Sequence, residues 1–248
     1  IIVTYNKVNF LKECLKQVLK QTFPIDRIIV VDNNSKDGTK NFLDDISNKE
    51  KKIITIFLAK NIGGAGGFYT GIKYCIRHHP SDFFWLMDDD TVPEIGALKF
   101  LVEKCYTNTG FCASNVRWID GSAALMNVPG FSRDANNTSF CDALKIKNAS
   151  FVSLLVNRKA VLKVGLPIKD FFIWGDDVEF TLRINDAGYV NYLCLKSLVT
   201  HKMKNNDEVN IFNENKNINR INRYFFEYRN SVFRLRKQGT EFVLKDIA

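Results

Sequence analysis

Short apolar runs alternate with longer amphipathic stretches along the first hundred residues. The four runs lie at 1–5, 27–31, 53–59 and 82–87. Their length and their content of β-branched or aromatic residues are typical of buried strands. The stretches at 9–21 and 66–78 have apolar residues spaced as on one face of a helix. Strands that alternate with helices predict a parallel, doubly wound α/β sheet.

A further helix is predicted to begin at Pro93, because proline favours the first turn of a helix. Its apolar face would be formed by Ile95, Leu98, Leu101, Val102 and Cys105. Residues 113–148 are rich in Asn and Ser and show no pattern that assigns their structure.

Each predicted strand runs into polar residues where it ends. These residues are Asn6, Asp32, Asn61 and the acidic run from Asp88 to Asp90. In an open parallel sheet, ligands bind beyond the carboxyl ends of the strands. The sequence therefore predicts a binding site at that edge of the sheet.

Composition and charge narrow the class of protein. The chain has 248 residues, 46% hydrophobic and 25% charged, which is typical of a globular protein of one large or two small domains. The six cysteines form no CxxC pair, so we interpret them as reduced residues of a cytosolic protein. The net charge is +8, and from Lys196 onward eleven Lys or Arg face six Asp or Glu. A basic tail favours an anionic partner.

The acidic run from Asp88 to Asp90 follows five apolar residues, and no Lys or Arg lies within five positions of it. On extended backbone, Asp88 and Asp90 would face one way and Asp89 another. Two convergent carboxylates suit a hard divalent cation, which would offset their repulsion. The alternative is a solvated acidic turn that caps the next helix.

The segment "NIGGAGGFYTG" at 61–71 has five glycines and is predicted to open a helix. Glycines let backbone amides approach a phosphate closely, and a helix N-terminus favours anions. The alternative is a tight turn with close helix packing, since the segment does not match G-x-G-x-x-G.

The segment "FFIWGDDVEFTLRINDAGY" at 171–189 combines acids with aromatic residues. On a helix that begins near Asp176, Glu179 and Arg183 are spaced to form an ion pair. One carboxylate at the helix entrance could act as a general base, although acids are favoured in any first helical turn. His201 follows an apolar run and is either a ligand or a structural histidine.

Six segments, in order, resemble glycosyltransferase family 2: "IIVTYN", "VVDNNSKDGT", "NIGGAGGF", "WLMDDDTVP", "FFIWGDDVEFTLRINDAGY" and "VTHK". The forms "GGAGGF" and "WGDDVEF" are most similar to the galactofuranosyltransferase branch, with rhamnosyltransferases next. The resemblance implies the GT-A fold, a doubly wound, mostly parallel sheet flanked by helices. It also implies an inverting enzyme that moves a sugar from a nucleotide-diphosphate donor to a saccharide or lipid-linked acceptor in cell-surface glycan synthesis.

The resemblance also implies roles for single residues. Asp32 would contact the nucleotide base, which favours a UDP- or dTDP-sugar. The other donor-binding residues would be Thr4, Asn61, Gly63, Gly64, Gly67, Asp88 and Asp89. A Mn²⁺ or Mg²⁺ ion would be held by Asp88, Asp90 and His201. Asp177 would be the catalytic base, with Trp174 and Asp176 beside the acceptor. Phe68 and Tyr69 stand where many members have Arg or Asn. The resemblance therefore does not settle which residues contact the phosphates.

We predict a catalytic domain at 1–203 and a basic helical extension at 204–248. In the extension, Ile221, Phe225, Tyr228 and Val232 would share one apolar face. That face either packs on the catalytic domain or contacts an anionic membrane surface or a lipid-linked acceptor. We expect a cytoplasmic protein, at the inner face of the membrane if the second interpretation holds. No nucleic-acid-binding motif is present, so a nucleic-acid partner is not expected.

Two other classes fit parts of the sequence. "DDDTV" matches the D-x-D-x-[TV] pattern of haloacid dehalogenase-type phosphatases, with Asp88 as nucleophile, but that pattern normally follows the first strand of the chain. A non-catalytic sugar-nucleotide binding module is the other alternative, and the intact "DDDTV", "WGDDVEF" and His201 argue against it.

Overall fold

The computed structural model describes residues 1–132, 142–207, 211 and 218–238. The first part of the chain alternates strands and helices: β1 (Ile2–Thr4), α1 (Val8–Val18), β2 (Ile28–Asp32), α2 (Thr39–Lys49), β3 (Ile53–Phe57), α3 (Gly63–His78) and β4 (Phe83–Asp88). The second part is richer in strands: β5 (Thr91–Pro93), α4 (Ala97–Glu103), β6 (Thr109–Arg117), β7 (Gly130–Phe131), β8 (Ala143–Asn148), β9 (Ser153–Asn157), α5 (Arg158–Val164), α6 (Asp176–Asp186), β10 (Val190–His201) and α7 (Ile218–Gln238).

The described strands form one mixed sheet in the order β3-β2-β1-β4-β9-β6-β10-β8-β7, with β5 paired to β10. Strands β1 to β4 are parallel to one another, and β6 is parallel to β10. Strand β9 runs antiparallel between β4 and β6. The α/β class and the parallel first half are confirmed.

The parallel strands β1 and β2 are buried throughout because helices cover both faces of the sheet. All five residues of β2, Ile28–Asp32, are buried, which explains why the four residues before Asp32 are all apolar. One face packs under α3 through Phe68 and Ile72, and the other under α1 through Leu11 and Leu15. The core therefore fixes the strands from both sides and leaves their carboxyl ends free to form a site.

The prediction of a helix that begins at Pro93 is wrong. Pro93 is the last residue of β5, where it pairs with Val199, and the helix begins four residues later at Ala97. Ile95 is consequently outside the helix and 52% exposed, whereas Leu98 and Leu101 are buried as predicted. Proline is tolerated in β5 because this three-residue strand lies off the main path of the sheet.

The apolar face predicted for the extension is exposed. Phe225 and Tyr228 are 66% and 54% exposed, and Ile221 and Val232 lie on the same open surface. Helix α7 contacts the rest of the chain through a different side, on which Tyr224 and Asn230 are buried. Within the described residues, no helix is long and apolar enough to cross a membrane.

Candidate active site

The carboxyl ends of three neighbouring strands meet at one edge of the sheet. Thr4, at the end of β1, lies opposite Asp32 at the end of β2. On the other side of β1, Val3 lies opposite Asp88 at the end of β4. This register brings Thr4, Asp32 and the acidic run together, as the pattern of polar strand ends predicts.

Asp88, Asp90 and His201 form an acidic cluster whose ligand atoms all lie within 4.8 Å of one another. Strand β5 brings the histidine there, because it pairs antiparallel with β10 and places His201 opposite Thr91. The Nε2 atom of His201 is 3.1 Å from an Asp90 oxygen. Asp90 and His201 are both 6% exposed and Asp88 is half-buried, so the cluster is only partly open to bulk water.

Asp89 binds the end of β1 and is not a member of the acidic cluster. Its Oδ2 atom accepts hydrogen bonds from the Thr4 hydroxyl at 2.8 Å and from the Tyr5 N–H at 3.3 Å. Thr4 is 1% exposed and its hydroxyl is directed at Asp89. The two residues thus fasten the end of β1 to the acidic run.

Lys7 supplies the positive charge that the local sequence lacks. Its Nζ atom lies 2.5 Å from Asp90 Oδ2 and 3.5 Å from Asp89 Oδ1. Lys7 comes from the turn between β1 and α1, 83 residues before Asp90. No local pattern indicates this contact, because only the register of β1 beside β4 brings the two residues together.

Asn127 is a second residue beside the acidic cluster that the sequence pattern did not reveal. Its side-chain oxygen lies 2.8 Å from His201 Nδ1. With a metal ion bound, a proton on Nδ1 donated to that oxygen would leave the Nε2 lone pair free for the cation beside Asp88 and Asp90. Asn127 belongs to the 113–148 region, for which the sequence assigned no structure.

The carboxylates of the cluster differ in their affinity for protons. Burial, and then the nearby Asp90 carboxylate, raise the pKa of Asp88 to about 7. Burial also raises the pKa of Asp89 to about 6, although the charge of Lys7 opposes that rise. For Asp90 burial is outweighed, because the His201 hydrogen bond and the charges of His201 and Lys7 hold its pKa below the usual range.

The donor atoms of this cluster fit a divalent cation. Two carboxylates and one neutral imidazole are ligands that Mn²⁺ accepts, and Mg²⁺ also favours the carboxylates. The high pKa of Asp88 shows that its negative charge is poorly compensated in the protein alone. A cation bound by Asp88, Asp90 and His201 would provide that compensation, so the residues present fit a metal site.

The residues predicted to bind the nucleotide lie along the same edge. Asp32 is 2% exposed and accepts a hydrogen bond from the Ser35 N–H at 3.0 Å, which fixes the turn after β2. Asn61 accepts a hydrogen bond from the Gly63 N–H at 2.8 Å, at the start of α3. These contacts hold the loops after β2 and β3 in place beside the acidic cluster.

The glycines of α3 have unequal surroundings. A Cβ atom on Gly63, whose φ is +76°, would lie 2.0 Å from the Phe172 carbonyl oxygen, and one on Gly67 would meet Val3 at 2.4 Å. A Cβ atom on Gly64, by contrast, would have no atom of the described residues within 4 Å. Close packing therefore explains Gly63 and Gly67, and Gly64 is the glycine with space for a ligand.

The acidic pair Asp176 and Asp177 opens α6, where the sequence predicted a helix start. Burial, and then the adjacent Asp177, raise the pKa of Asp176 well above its usual range, and Asp88 contributes to the rise. Burial raises the pKa of Asp177 to about 6, while the Val178 N–H and Arg234 oppose it. Asp176 therefore lies within electrostatic reach of the acidic cluster, and Asp177 within reach of α7.

The neighbours of the acidic pair have structural roles. Glu179 and Arg183 form the predicted ion pair at 2.8 Å. Arg183 also donates hydrogen bonds to the Val164 and Leu166 carbonyls, which fixes α6 to the end of α5. Trp174 is half-buried and its ring contacts Tyr224 edge-to-face at 5.1 Å.

Comparison with known proteins finds a matching family and related sequences. The model of the family "Glycosyl transferase family 2" matches residues 1–165. The chain is 28% identical to "Glycosyltransferase AglE" of Haloferax volcanii over 76% of its length, and 25% identical to "Galactofuranosyltransferase GlfT1" of Mycolicibacterium smegmatis over 81%. It spans 61% and 69% of those two proteins.

Solved structures show the same fold. GalNAc-T7 with UDP, GalNAc and Mn²⁺ superposes over 82% of this chain and 43% of its own, with a TM-score of 0.69 and 16% identity. The mannosyltransferase PcManGT from Pyrobaculum calidifontis, in complex with GDP-Man and Mn²⁺, superposes over 80% of this chain and 55% of its own, with a TM-score of 0.62 and 18% identity.

Proposed function

We propose that this chain, which belongs to glycosyl transferase family 2, transfers a sugar from a nucleotide-diphosphate donor to an acceptor hydroxyl with inversion at the sugar carbon. The observation that carries the proposal is the acidic cluster of Asp88, Asp90 and His201 at the ends of β4 and β10. Strand β1 joins the cluster to the Asp32 loop, and Asp176 lies within electrostatic reach of Asp88. This arrangement suits a donor held between a nucleotide pocket and a base.

The residues of the acidic cluster could hold a metal ion that would support departure of the nucleoside diphosphate. A Mn²⁺ or Mg²⁺ ion held by Asp88, Asp90 and His201 would stabilise the negative charge of the nucleoside diphosphate as it leaves. Asn127 orients the imidazole, and Lys7 balances Asp89 and Asp90 at the same edge. No acid residue is then needed on the leaving-group side, so one carboxylate base is sufficient for the reaction.

Donor recognition is assigned to the loops after β1, β2 and β3. Asp32 would accept hydrogen bonds from the base, which favours uracil or thymine. Thr4 would hold the Asp89 side chain in place beside the ribose of the donor. Asn61, Gly63, Gly64 and Gly67 would shape the start of α3, where Gly64 leaves open space. The UDP and GDP-Man of the solved neighbours belong to those proteins and support only the donor class.

Asp177 is the residue we assign as general base. It would take the proton of the acceptor hydroxyl as that oxygen attacks the sugar carbon from the face opposite the leaving diphosphate. With a pKa of about 6, the carboxylate is mostly ionised at neutral pH and still basic enough to accept a proton. Asp176 and Trp174 would contact the acceptor. The donor sugar is proposed to be galactofuranose or rhamnose, because the chain is similar to GlfT1 and has the segments "GGAGGF" and "WGDDVEF".

The exposed apolar face of α7 supports contact with an anionic membrane surface. Phe225, Tyr228, Val232 and Phe233 lie together with Arg229 and Arg236 on one open surface of the helix. Apolar side chains beside arginines match the interfacial region of a bilayer with acidic lipids, where a lipid-linked acceptor is also found. We therefore place the protein at the cytoplasmic face of a membrane, with residues 1–203 as the catalytic domain and 204–248 as the extension.

A screen of nucleotide diphosphates tests the proposal. UDP, dTDP, GDP and ADP are titrated by calorimetry with Mn²⁺ or Mg²⁺, and nucleotide sugars of the preferred base are then tested for transfer to a saccharide acceptor. Tight binding of UDP or dTDP and formation of a glycoside support the proposal. Hydrolysis of simple phosphoesters that is lost in Asp88→Asn would support the phosphatase instead, and binding without turnover would support a binding module.

A further inference from the structure

The turn at residues 170–175, which leads into the acidic pair, has an unusual backbone. Phe172 and Trp174 have φ values of +66° and +60°, and Gly175 has +81°. Residues with side chains rarely adopt such angles, so the surrounding structure must hold the turn in this conformation. Asp176 follows it directly, and the direction in which α6 begins therefore depends on the turn.

Asn230 of α7 binds this turn through its side-chain amide. Its Nδ2 atom donates toward three carbonyl oxygens, those of Phe171 at 3.0 Å, Ile173 at 3.2 Å and Trp174 at 2.7 Å. An amide has two protons, so the three acceptors share them. Asn230 is 1% exposed, which means that water cannot replace these bonds.

The neighbouring contacts hold the rest of the turn. Arg229 donates to the Asp170 carbonyl at 2.6 Å, and the Ala65 N–H donates to the Phe172 carbonyl at 3.2 Å. Three aromatic side chains of the turn each contact an aromatic ring of α7: Phe171 with Phe233, Phe172 with Phe226 and Trp174 with Tyr224. The carbonyls of 170–174 thus all have donors, and four of the five are held by α7.

We propose that Asn230 is a positioning residue for sugar transfer, because it fixes the turn at 170–175 and thereby the place at which Asp176 and Asp177 enter the active site. Asn230 lies beyond residues 1–165, which the family model matches. Helix α7 of the extension then supports the catalytic domain through its buried side, and its opposite, exposed face remains available for the membrane contact.

Asn230→Asp is the sharpest test, because the carboxylate keeps the shape of the amide but offers no proton to the three carbonyls. Asn222→Asp is the matched control, since Asn222 is an exposed asparagine on the same helix. The kinetic part of this test rests on the proposed function, because it measures the rate of sugar transfer. We expect Asn230→Asp to lower kcat by roughly 10²-fold, while the Kd for UDP or dTDP with Mn²⁺ changes by less than about threefold. Asn222→Asp should match the wild type.

A spectroscopic readout separates this inference from the proposed function. The chain has three tryptophans, Trp85, Trp118 and Trp174. In protein labelled with 5-fluorotryptophan, Asn230→Asp should shift or broaden the fluorine resonance of Trp174 and leave the other two unchanged. If the wild type transfers no sugar but Trp174 responds, the proposed function fails and the role of Asn230 in holding the turn stands.

Two results would overturn the inference. One is an unchanged Trp174 resonance in Asn230→Asp. The other is a loss of kcat that accompanies an equal loss of nucleotide binding, which would indicate general destabilisation. If Asn230→Asp does not fold, Asn230→Ser keeps one proton donor, and it should give a smaller change of kcat and of the Trp174 signal in the same directions. Wild-type kcat in Asn230→Ser together with an unmoved Trp174 signal would also contradict the inference.

Discussion

His201 Nε2 lies 3.1 Å from Asp90 Oδ1 although 111 residues separate the two in the chain. The contact depends on β5, which turns back from the acidic run and pairs with the end of β10. It converts two carboxylates at a strand end into a three-residue cluster with mixed oxygen and nitrogen donors. That cluster is what distinguishes a metal centre from a solvated acidic turn.

The first prediction concerns metal binding. Mn²⁺ should raise the Tm of the wild type, and the rise should grow from about pH 5.5 to 7.5, because protons compete with the metal at Asp88, whose pKa is about 7. Asn127→Ala should weaken Mn²⁺ binding by about 10–100-fold, since it frees the imidazole to rotate. Calorimetry measures both effects.

Asn108→Ala is the control for that substitution, because Asn108 is an exposed asparagine. Its affinity for Mn²⁺ should equal that of the wild type. Full transfer activity in excess EDTA, or Mn²⁺ binding that survives Asp90→Asn unchanged, would contradict the metal centre.

The second prediction concerns pH. A base acts in its ionised form, and burial raises the pKa of Asp177 to about 6. At saturating Mn²⁺, donor and acceptor, kcat should therefore increase from about pH 5 to pH 7 with a midpoint near 6. Arg234→Gln should move the midpoint to higher pH, because the charge of Arg234 lowers the pKa of Asp177. Arg236→Gln, on the same helix, should leave it in place. A kcat that is flat or decreasing over this range would argue against a carboxylate base.

The third prediction separates two glycines of α3. Gly63→Ala should reduce the free energy of unfolding by about 2–4 kcal/mol, because its φ is positive and the new Cβ would overlap the Phe172 carbonyl. Gly64→Ala should leave stability equal or raise it by up to about 1 kcal/mol. Denaturant unfolding measures both changes. If Gly64 lies against the diphosphate, Gly64→Ala should nevertheless weaken donor binding, and unchanged binding would remove Gly64 from the donor site.

The sequence predicted the sheet edge well because that edge depends on local pattern. Apolar runs that end in Asp32 and Asp88 define both the strands and the polar ends that meet there. Lys7, Asn127 and Asn230 had no such signal, since each acts through a partner at least 56 residues away. The apolar stripe of α7 has the helical spacing that the sequence predicted. Its packing could not be read from that spacing, because a polar residue, Asn230, lies on the side that is buried.

The fourth prediction concerns that stripe. The protein should sediment with vesicles of phosphatidylcholine and phosphatidylglycerol, and added salt should weaken the binding. The double substitution of Phe225→Ser with Val232→Ser should weaken it by at least about tenfold, because each side chain loses its burial in the bilayer. Ile119→Ser is the control, since Ile119 is also exposed but far from α7 in the chain.

Two outcomes would contradict the membrane contact. One is that the intact protein does not bind anionic vesicles. The other is that size-exclusion chromatography shows a dimer, which the double substitution dissociates. The second outcome would assign the stripe to a contact between two copies of the chain.

Asp177→Asn decides whether Asp177 is the base of a metal-dependent sugar transfer, because it removes the proton acceptor and keeps the shape of the side chain. The rate of glycoside formation is measured, with nucleotide and Mn²⁺ affinity determined on the same protein and Asp176→Asn as the neighbouring comparison. We expect Asp177→Asn to lower transfer by roughly 10²–10⁴-fold while both affinities stay near those of the wild type, and Asp176→Asn to cost less. Near wild-type transfer by Asp177→Asn, with Asp176→Asn inactive, would contradict this assignment.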